Sequence, residues 1–114
     1  MCRLGPPLNW DLRAVQDQPI PVEQTCFAVS DCAFISFPGE LYTEIGMQLK
    51  AASPFRHTYI IGLANGYIGY IPTRQAIGEG GYAEDTRRVD AAAAEIIAEQ
   101  SLALLREAHQ HINQ

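Results

Sequence analysis

The stretch that decides the fold is Cys32-Ala33-Phe34-Ile35-Ser36-Phe37-Pro38-Gly39-Glu40-Leu41. Cys32 to Phe37 is a nearly continuous apolar run, which reads as a central strand buried on both faces. Pro38-Gly39 breaks it, because Pro lacks the N–H a strand needs and Gly favours a turn. Glu40 to Ala52 follows with Leu41, Ile45 and Leu49 at four-residue spacing, the pattern of a helix with one buried stripe. Ser53-Pro54 ends that helix. Gly46 within it costs about 1 kcal/mol relative to Ala, which points to a close approach between helix and sheet.

On either side the same architecture continues. Val22 to Val29 is rich in β-formers, and if Ser30-Asp31 closes a two-residue turn, Val29 faces Cys32 and Cys26 faces Ile35. His57 to Ala64 is the next strand. Strand, helix and strand at this spacing form a βαβ unit with a right-handed crossover, so the Cys32 and His57 strands run parallel. Thr86 to His109 reads as a closing helix whose buried stripe holds Val89, Ala93, Ile96, Ile97, Leu104 and Leu105. Residues 65 to 85 read as one long Gly- and Tyr-rich connection without regular structure, and such connections are usually functional or disordered. The expected fold class is therefore α/β: a small mixed sheet of about three strands, a hairpin plus a βαβ unit, with two helices, forming a partial domain. Residues 1–21, rich in Pro and polar groups, read as an extended arm with Leu8, Trp10 and Leu12 as anchors. Residues 22–114 read as the single domain.

Composition narrows the function. With 47% hydrophobic and 18% charged residues in 114, the chain has enough apolar material for one core. A net charge of −5, with its eight Lys and Arg scattered, argues against a nucleic-acid surface. No apolar run reaches the length of a membrane span, and Met1 to Pro7 lacks the apolar centre of a signal peptide, so a cytoplasmic location is expected for the chain as written. Three cysteines, an odd number, read as free thiols in a reducing compartment. Gly78-Glu79-Gly80-Gly81 lacks the Lys-Ser/Thr of a phosphate-binding loop.

Two turns carry the chemistry. Glu40 stands where a strand gives way to a helix, either within the first helical turn or just before it. A carboxylate there is a helix-capping group or a fixed anionic ligand for a cation. Asn65-Gly66 supplies positive-φ conformations for a chain reversal, but reversal alone does not account for Tyr67, Tyr70 and Tyr82 after it. A phenol has a pKa near 10, and beside a divalent cation it coordinates or donates to a developing oxyanion; the same residues also serve as packing groups.

Phe37-Pro38-Gly39-Glu40-Leu41 with Thr43-Glu44-Ile45-Gly46, then Gly62-Leu63-Ala64-Asn65-Gly66-Tyr67-Ile68-Gly69-Tyr70-Ile71-Pro72-Thr73, then Glu79-Gly80-Gly81-Tyr82, resemble the C-terminal part of the catalytic domain of the neutral/alkaline ceramidase family, in its bacterial ceramidase-like branch. The resemblance implies a zinc-dependent amidase that hydrolyses N-acylsphingosine, its metal held by two His, one Glu and one Tyr. By motif, Glu40 and Tyr70 carry over as metal ligands and Tyr82 as the catalytic Tyr beside the scissile amide. Tyr67 and Asn65 fall on the substrate side.

His57, His109 and His111 lie outside the family's ligand motifs. The zinc is thus expected only in a site completed by an upstream segment or a partner chain carrying His ligands, because a catalytic zinc normally takes three protein ligands. Two other readings stand beside this one: a non-catalytic module that keeps the scaffold, and a self-associating domain whose strand edges pair between copies.

Overall fold

The computed structural model describes residues 2–3, 8–9, 19–20, 22–81, 89 and 91–113, and of those before 22 the backbone alone. The organising element is a three-stranded mixed sheet of β5 (Cys26–Val29), β6 (Cys32–Ser36) and β8 (His57–Ile61), with β6 in the middle. β5 runs antiparallel to β6 with Cys26 opposite Ile35 and Val29 opposite Cys32, the register set by the Ser30-Asp31 turn. β6 and β8 are parallel, Cys32 opposite His57 and Ser36 opposite Ile61. Between them runs α1 (Thr43–Ala52), so the expected βαβ unit is present.

Short ladders surround this sheet. β1 (Cys2–Arg3) pairs with β4 (Glu23–Gln24), β2 (Leu8–Asn9) with β3 (Pro19–Ile20), and β7 (Glu40–Leu41) with β9 (Tyr70–Ile71). The helices α2 (Arg74–Glu79) and α3 (Ala93–Ile112) complete the described elements. Among the described residues no helix is long and apolar enough to cross a membrane.

Alternation along the strands decides where the core lies. Ala33 and Ile35 of β6 point to one face and are fully buried, together with Ile45 and Leu49 of α1 and Ile97 and Leu105 of α3. The buried stripe of α3 recurs every four residues, Ala93, Ile97, Ser101 and Leu105, as an amphipathic helix on a sheet requires. At its centre Gln24 donates from Nε2 to Ser101 Oγ at 2.8 Å, and the Ser101 hydroxyl donates to the Ile97 carbonyl at 2.6 Å. The buried hydroxyl and amide nitrogen are thereby satisfied, whereas Gln24 Oε1 is buried without a hydrogen-bond partner among the described residues.

The structure changes four readings. Glu40 is in a strand, not a helix: its N–H donates to the Gly69 carbonyl at 2.9 Å and that of Tyr42 to the Ile71 carbonyl at 3.2 Å. The helix begins only once this pairing ends, with Ile45 N–H bonded to Tyr42 O. The connection after Asn65 is not irregular, since it contains β9 and α2. α2 was signalled by its caps: Thr73 Oγ1 accepts from Ala76 N–H at 3.1 Å, and Gly80 closes the helix at φ 78°. The last helix starts at Ala93 among the described residues, with Val89 as an isolated bridge. Finally, among the described residues β6 is fully covered on one face only, with Ala33 and Ile35 buried and Phe34 half-buried on the other.

Candidate functional site

Two segments leave the carboxyl ends of β6 and β8 and lock together. Phe37 N–H donates to Ile61 O at 2.8 Å, Ala64 N–H to Phe37 O at 2.9 Å, Leu63 N–H to Gly39 O at 3.1 Å and Ile68 N–H to Pro38 O at 2.7 Å. These bonds continue the parallel sheet past its last regular pair and lead into the β7–β9 ladder. The second segment bends sharply to make them, with Leu63 at φ 54°, Asn65 at 66°, Gly66 at 142° and Gly69 at 84°. Asn65 holds the bend: its Nδ2 donates to Ser36 Oγ and Thr25 Oγ1, each at 3.2 Å.

Gly39 is the closest point of the crossing. A Cβ placed there would lie 2.5 Å from the Gly69 carbonyl oxygen, so only glycine allows the two backbones to meet. Pro38-Gly39 therefore does more than end a strand. It lets the chain pass beneath residue 69 and pair with β9.

The consequence is the register of β7 and β9, in which Glu40 is paired with Tyr70 and Leu41 with Ile71. Paired residues on adjacent strands project to the same side of a sheet. Leu41 and Ile71 take the other side, where Ile71 is fully buried. Glu40 and Tyr70, both half-buried, border an open depression of about 440 Å³ that is also lined by Leu41, Tyr42, Thr43 and Glu44. Tyr67 reaches over Glu40, its Oη donating to Oε2 at 3.5 Å.

Of the residues singled out in the sequence, Glu40, Tyr70 and Tyr67 thus come together at the carboxyl end of the sheet, where open α/β sheets bind ligands. Asn65 stands behind them, its amide nitrogen engaged with Ser36 and Thr25. Tyr82 lies outside the described residues. Glu44 and Thr43 were legible only as parts of the longer motif; helix α1 brings them to the rim by starting within a turn of Glu40.

The histidines sit elsewhere. His57 opens β8 at the opposite end of the strand. His109 presents its ring to Phe55 in a T-shaped contact with centroids 5.1 Å apart, and His111 lies 4.0 Å from Glu107 on the exposed side of α3.

As a cation site the depression offers a carboxylate and a phenol, oxygen donors of a type zinc accepts. They fit in kind but not in number, since among the described residues no group of three or more His, Cys, Asp or Glu is placed to hold a metal ion.

No family model and no curated protein matches the chain. Two solved structures do match in fold. One is the neutral ceramidase from Pseudomonas aeruginosa, with a TM-score of 0.59 and 22% identity over 77% of this chain. The other is a ceramidase complexed with C2, with a TM-score of 0.60 and 24% identity over 78%. The chain spans about 15% of the length of either protein. It therefore has a ceramidase-like fold corresponding to a small portion of those structures.

Proposed function

We propose that the chain is one portion, matching the C-terminal part of the catalytic domain, of a ceramidase-like zinc amidase that acts on an N-acylated lipid amide such as N-acylsphingosine. The observation that supports the reading is the register of Glu40 with Tyr70, which sends both side chains to the same side of their ladder beyond the carboxyl ends of the main strands. The ceramidase-like fold supports it.

In the completed site Glu40 and Tyr70 hold the metal together with His donors from an upstream segment or a partner chain. Bound there, zinc supplies Lewis-acid polarisation of the amide carbonyl and lowers the pKa of water. The chain's own residues do the positioning. Backbone bonds on both sides of Glu40 fix where its side chain leaves the strand, and the Tyr67 hydroxyl lies 3.5 Å from one of its carboxylate oxygens. Tyr67 would face the incoming substrate, Asn65 holds the turn that carries it, and Tyr82 would donate to the oxygen of the tetrahedral intermediate.

Co-expression with the complementing chain tests this. The native pair is expected to carry about one zinc per chain and to release fatty acid from N-acylsphingosine, while Glu40→Gln and Tyr70→Phe lose both. An active pair in which these substitutions leave zinc and rate unchanged rules the assignment out, and a folded, metal-free pair identifies a non-catalytic module.

A further inference from the structure

Asn65-Gly66 is the one Asn-Gly pair in the sequence, and it stands at the bend from which Tyr67 and Tyr70 leave. An Asn followed by Gly is the pairing most prone to lose its side-chain amide, because a residue without Cβ leaves its backbone nitrogen open to the neighbouring side-chain carbonyl carbon. Both residues are exposed. Burial therefore gives the pair no protection, and its fate rests on conformation and hydrogen bonding.

Both oppose the reaction. Asn65 has φ 66°, and for a residue with a Cβ that region carries a ψ of about +30 to +60°. At such a ψ the Gly66 nitrogen lies anti to the Asn65 Cβ across the Cα–C bond, turned away from Cγ. Closing a cyclic imide needs the two on the same side, about half a turn of that bond. Backbone bonds on either side resist the rotation, Ala64 N–H to Phe37 O at 2.9 Å and Ile68 N–H to Pro38 O at 2.7 Å. The side chain is anchored as well. Its Nδ2, the leaving group of the reaction, donates to Ser36 Oγ and Thr25 Oγ1, each at 3.2 Å. Ser36 is a buried anchor whose Oγ also accepts the Thr25 N–H at 2.8 Å, so the latch is tied into the sheet.

We propose that Asn65 is a modification site gated by this bend: closed while Nδ2 is latched to Ser36 and Thr25, and open to deamidation when residues 63–70 lift away from Phe37–Gly39. In the open bend the Gly66 nitrogen attacks Asn65 Cγ. A C–N bond forms, the Cγ–Nδ2 bond breaks, and Nδ2 departs as ammonia with the proton that the Gly66 nitrogen gives up. Water then opens the imide at either carbonyl, leaving aspartate or isoaspartate at position 65. Water is the only co-reactant.

Neither product rebuilds the latch. Aspartate has no side-chain N–H to give Ser36 or Thr25, and isoaspartate adds a backbone carbon two residues before Tyr67 and five before Tyr70. Deamidation is thus a one-way exit from the geometry that pairs Tyr70 with Glu40, whatever the depression binds.

The full chain is incubated at mildly alkaline pH, folded and in urea, then digested with trypsin. Peptide 57–74 contains Asn65 and no other Asn or Gln, so its mass change and the separation of its two acidic forms follow this site alone. The folded chain should lose the amide at least about tenfold more slowly than the unfolded chain, because only the open fraction reacts. Ser36→Ala, and Thr25→Val, which keeps the side-chain shape, should each raise the folded rate several-fold with unchanged far-UV circular dichroism. Where Ser36→Ala alters the spectrum, Thr25→Val decides. In the deamidated chain the Glu40 and Tyr42 amides, which donate to Gly69 and Ile71, should exchange several-fold faster. Equal rates in folded and unfolded chains overturn the proposal. So does a folded rate that Thr25→Val leaves unchanged, which removes the latch from the gate. A deamidated chain whose Glu40 and Tyr42 amides stay as protected as before also overturns it, since the pairing then survives the modification.

Discussion

Replacing Gly39 by Ala should collapse the crossing that builds the site. The added methyl would lie 2.5 Å from the Gly69 carbonyl oxygen and 3.2 Å from both Ile68 Cγ1 and Ile71 Cδ1. Carbon–oxygen contacts are comfortable at about 3.3–3.6 Å, so the two backbones must separate by roughly 0.8 Å or more. The isoleucine tips can yield, but the carbonyl is held, since it accepts the Glu40 N–H at 2.9 Å while Ile68 N–H is bonded to Pro38 O at 2.7 Å. Overpacking of this kind costs about 1–3 kcal/mol, and weakening one of the two backbone bonds adds about 1 kcal/mol, giving about 2–4 kcal/mol in all. Urea unfolding measures it, with Gly78→Ala as the control, because a methyl at Gly78 meets nothing within 4 Å. A Gly39→Ala protein within about 0.5 kcal/mol of the parent would refute the reasoning, since an observed overlap of that size cannot be relieved so cheaply.

Gly46→Ala should do the reverse. A Cβ there meets Ile60 Cγ1 at an ordinary 3.6 Å, so the helix gains about 0.5–1 kcal/mol by the same unfolding measurement. Asn65→Ala removes two hydrogen bonds and puts Ala at φ 66°, which should cost about 1–2 kcal/mol and raise amide exchange of residues 63–70. The paired Arg74 guanidinium, 2.7 Å from Glu95, lowers the Glu95 pKa first by hydrogen bonding and then by its charge. A depressed carboxylate contributes above its unfolded pKa and loses that contribution as pH falls through the lowered folded value. Carbon NMR titration should therefore place Glu95 below the ordinary Glu range, and Arg74→Ala should return it there while speeding amide exchange in α2.

The main sheet was legible because its signals are local and agree. The apolar run at Cys32, the two-residue turn at Ser30-Asp31 and the four-residue spacing of Ile45 and Leu49 all specify the same βαβ unit, down to the pairing of Cys26 with Ile35. Of the two places open to Glu40, in the first helical turn or just before it, the second holds, and its extended form was not legible because what keeps it so is a partner strand thirty residues away that is two residues long. α2 was hidden for a related reason: only its caps, Thr73 and Gly80, mark it, and a six-residue helix has little room for a buried stripe. Gly46 was expected to mark a tight approach, yet the distance to Ile60 shows room for a methyl. The expectation that β6 is buried on both faces came from continuous apolarity, which signals burial without saying by what. Phe27 and Tyr59 are exposed and Phe34 is half-buried, so this face is not covered among the described residues. Within the site, residue types pointed to a carboxylate and a cluster of Tyr, and the motif resemblance singled out Glu40 and Tyr70, but their adjacency depends on the Gly39–Gly69 crossing, a steric fact that emerges only in three dimensions.

The central claim is that Glu40 and Tyr70 act as one pair of donors to one cation. Titrating zinc into the chain with carbon-labelled Tyr rings and Glu carboxyls tests it directly. The account predicts that the Tyr70 and Glu40 signals move together over a single, weak binding curve, and that Glu40→Gln abolishes the Tyr70 response without disturbing Tyr59. Zinc that shifts His57, His109 or His111 while Tyr70 and Glu40 stay fixed would contradict it.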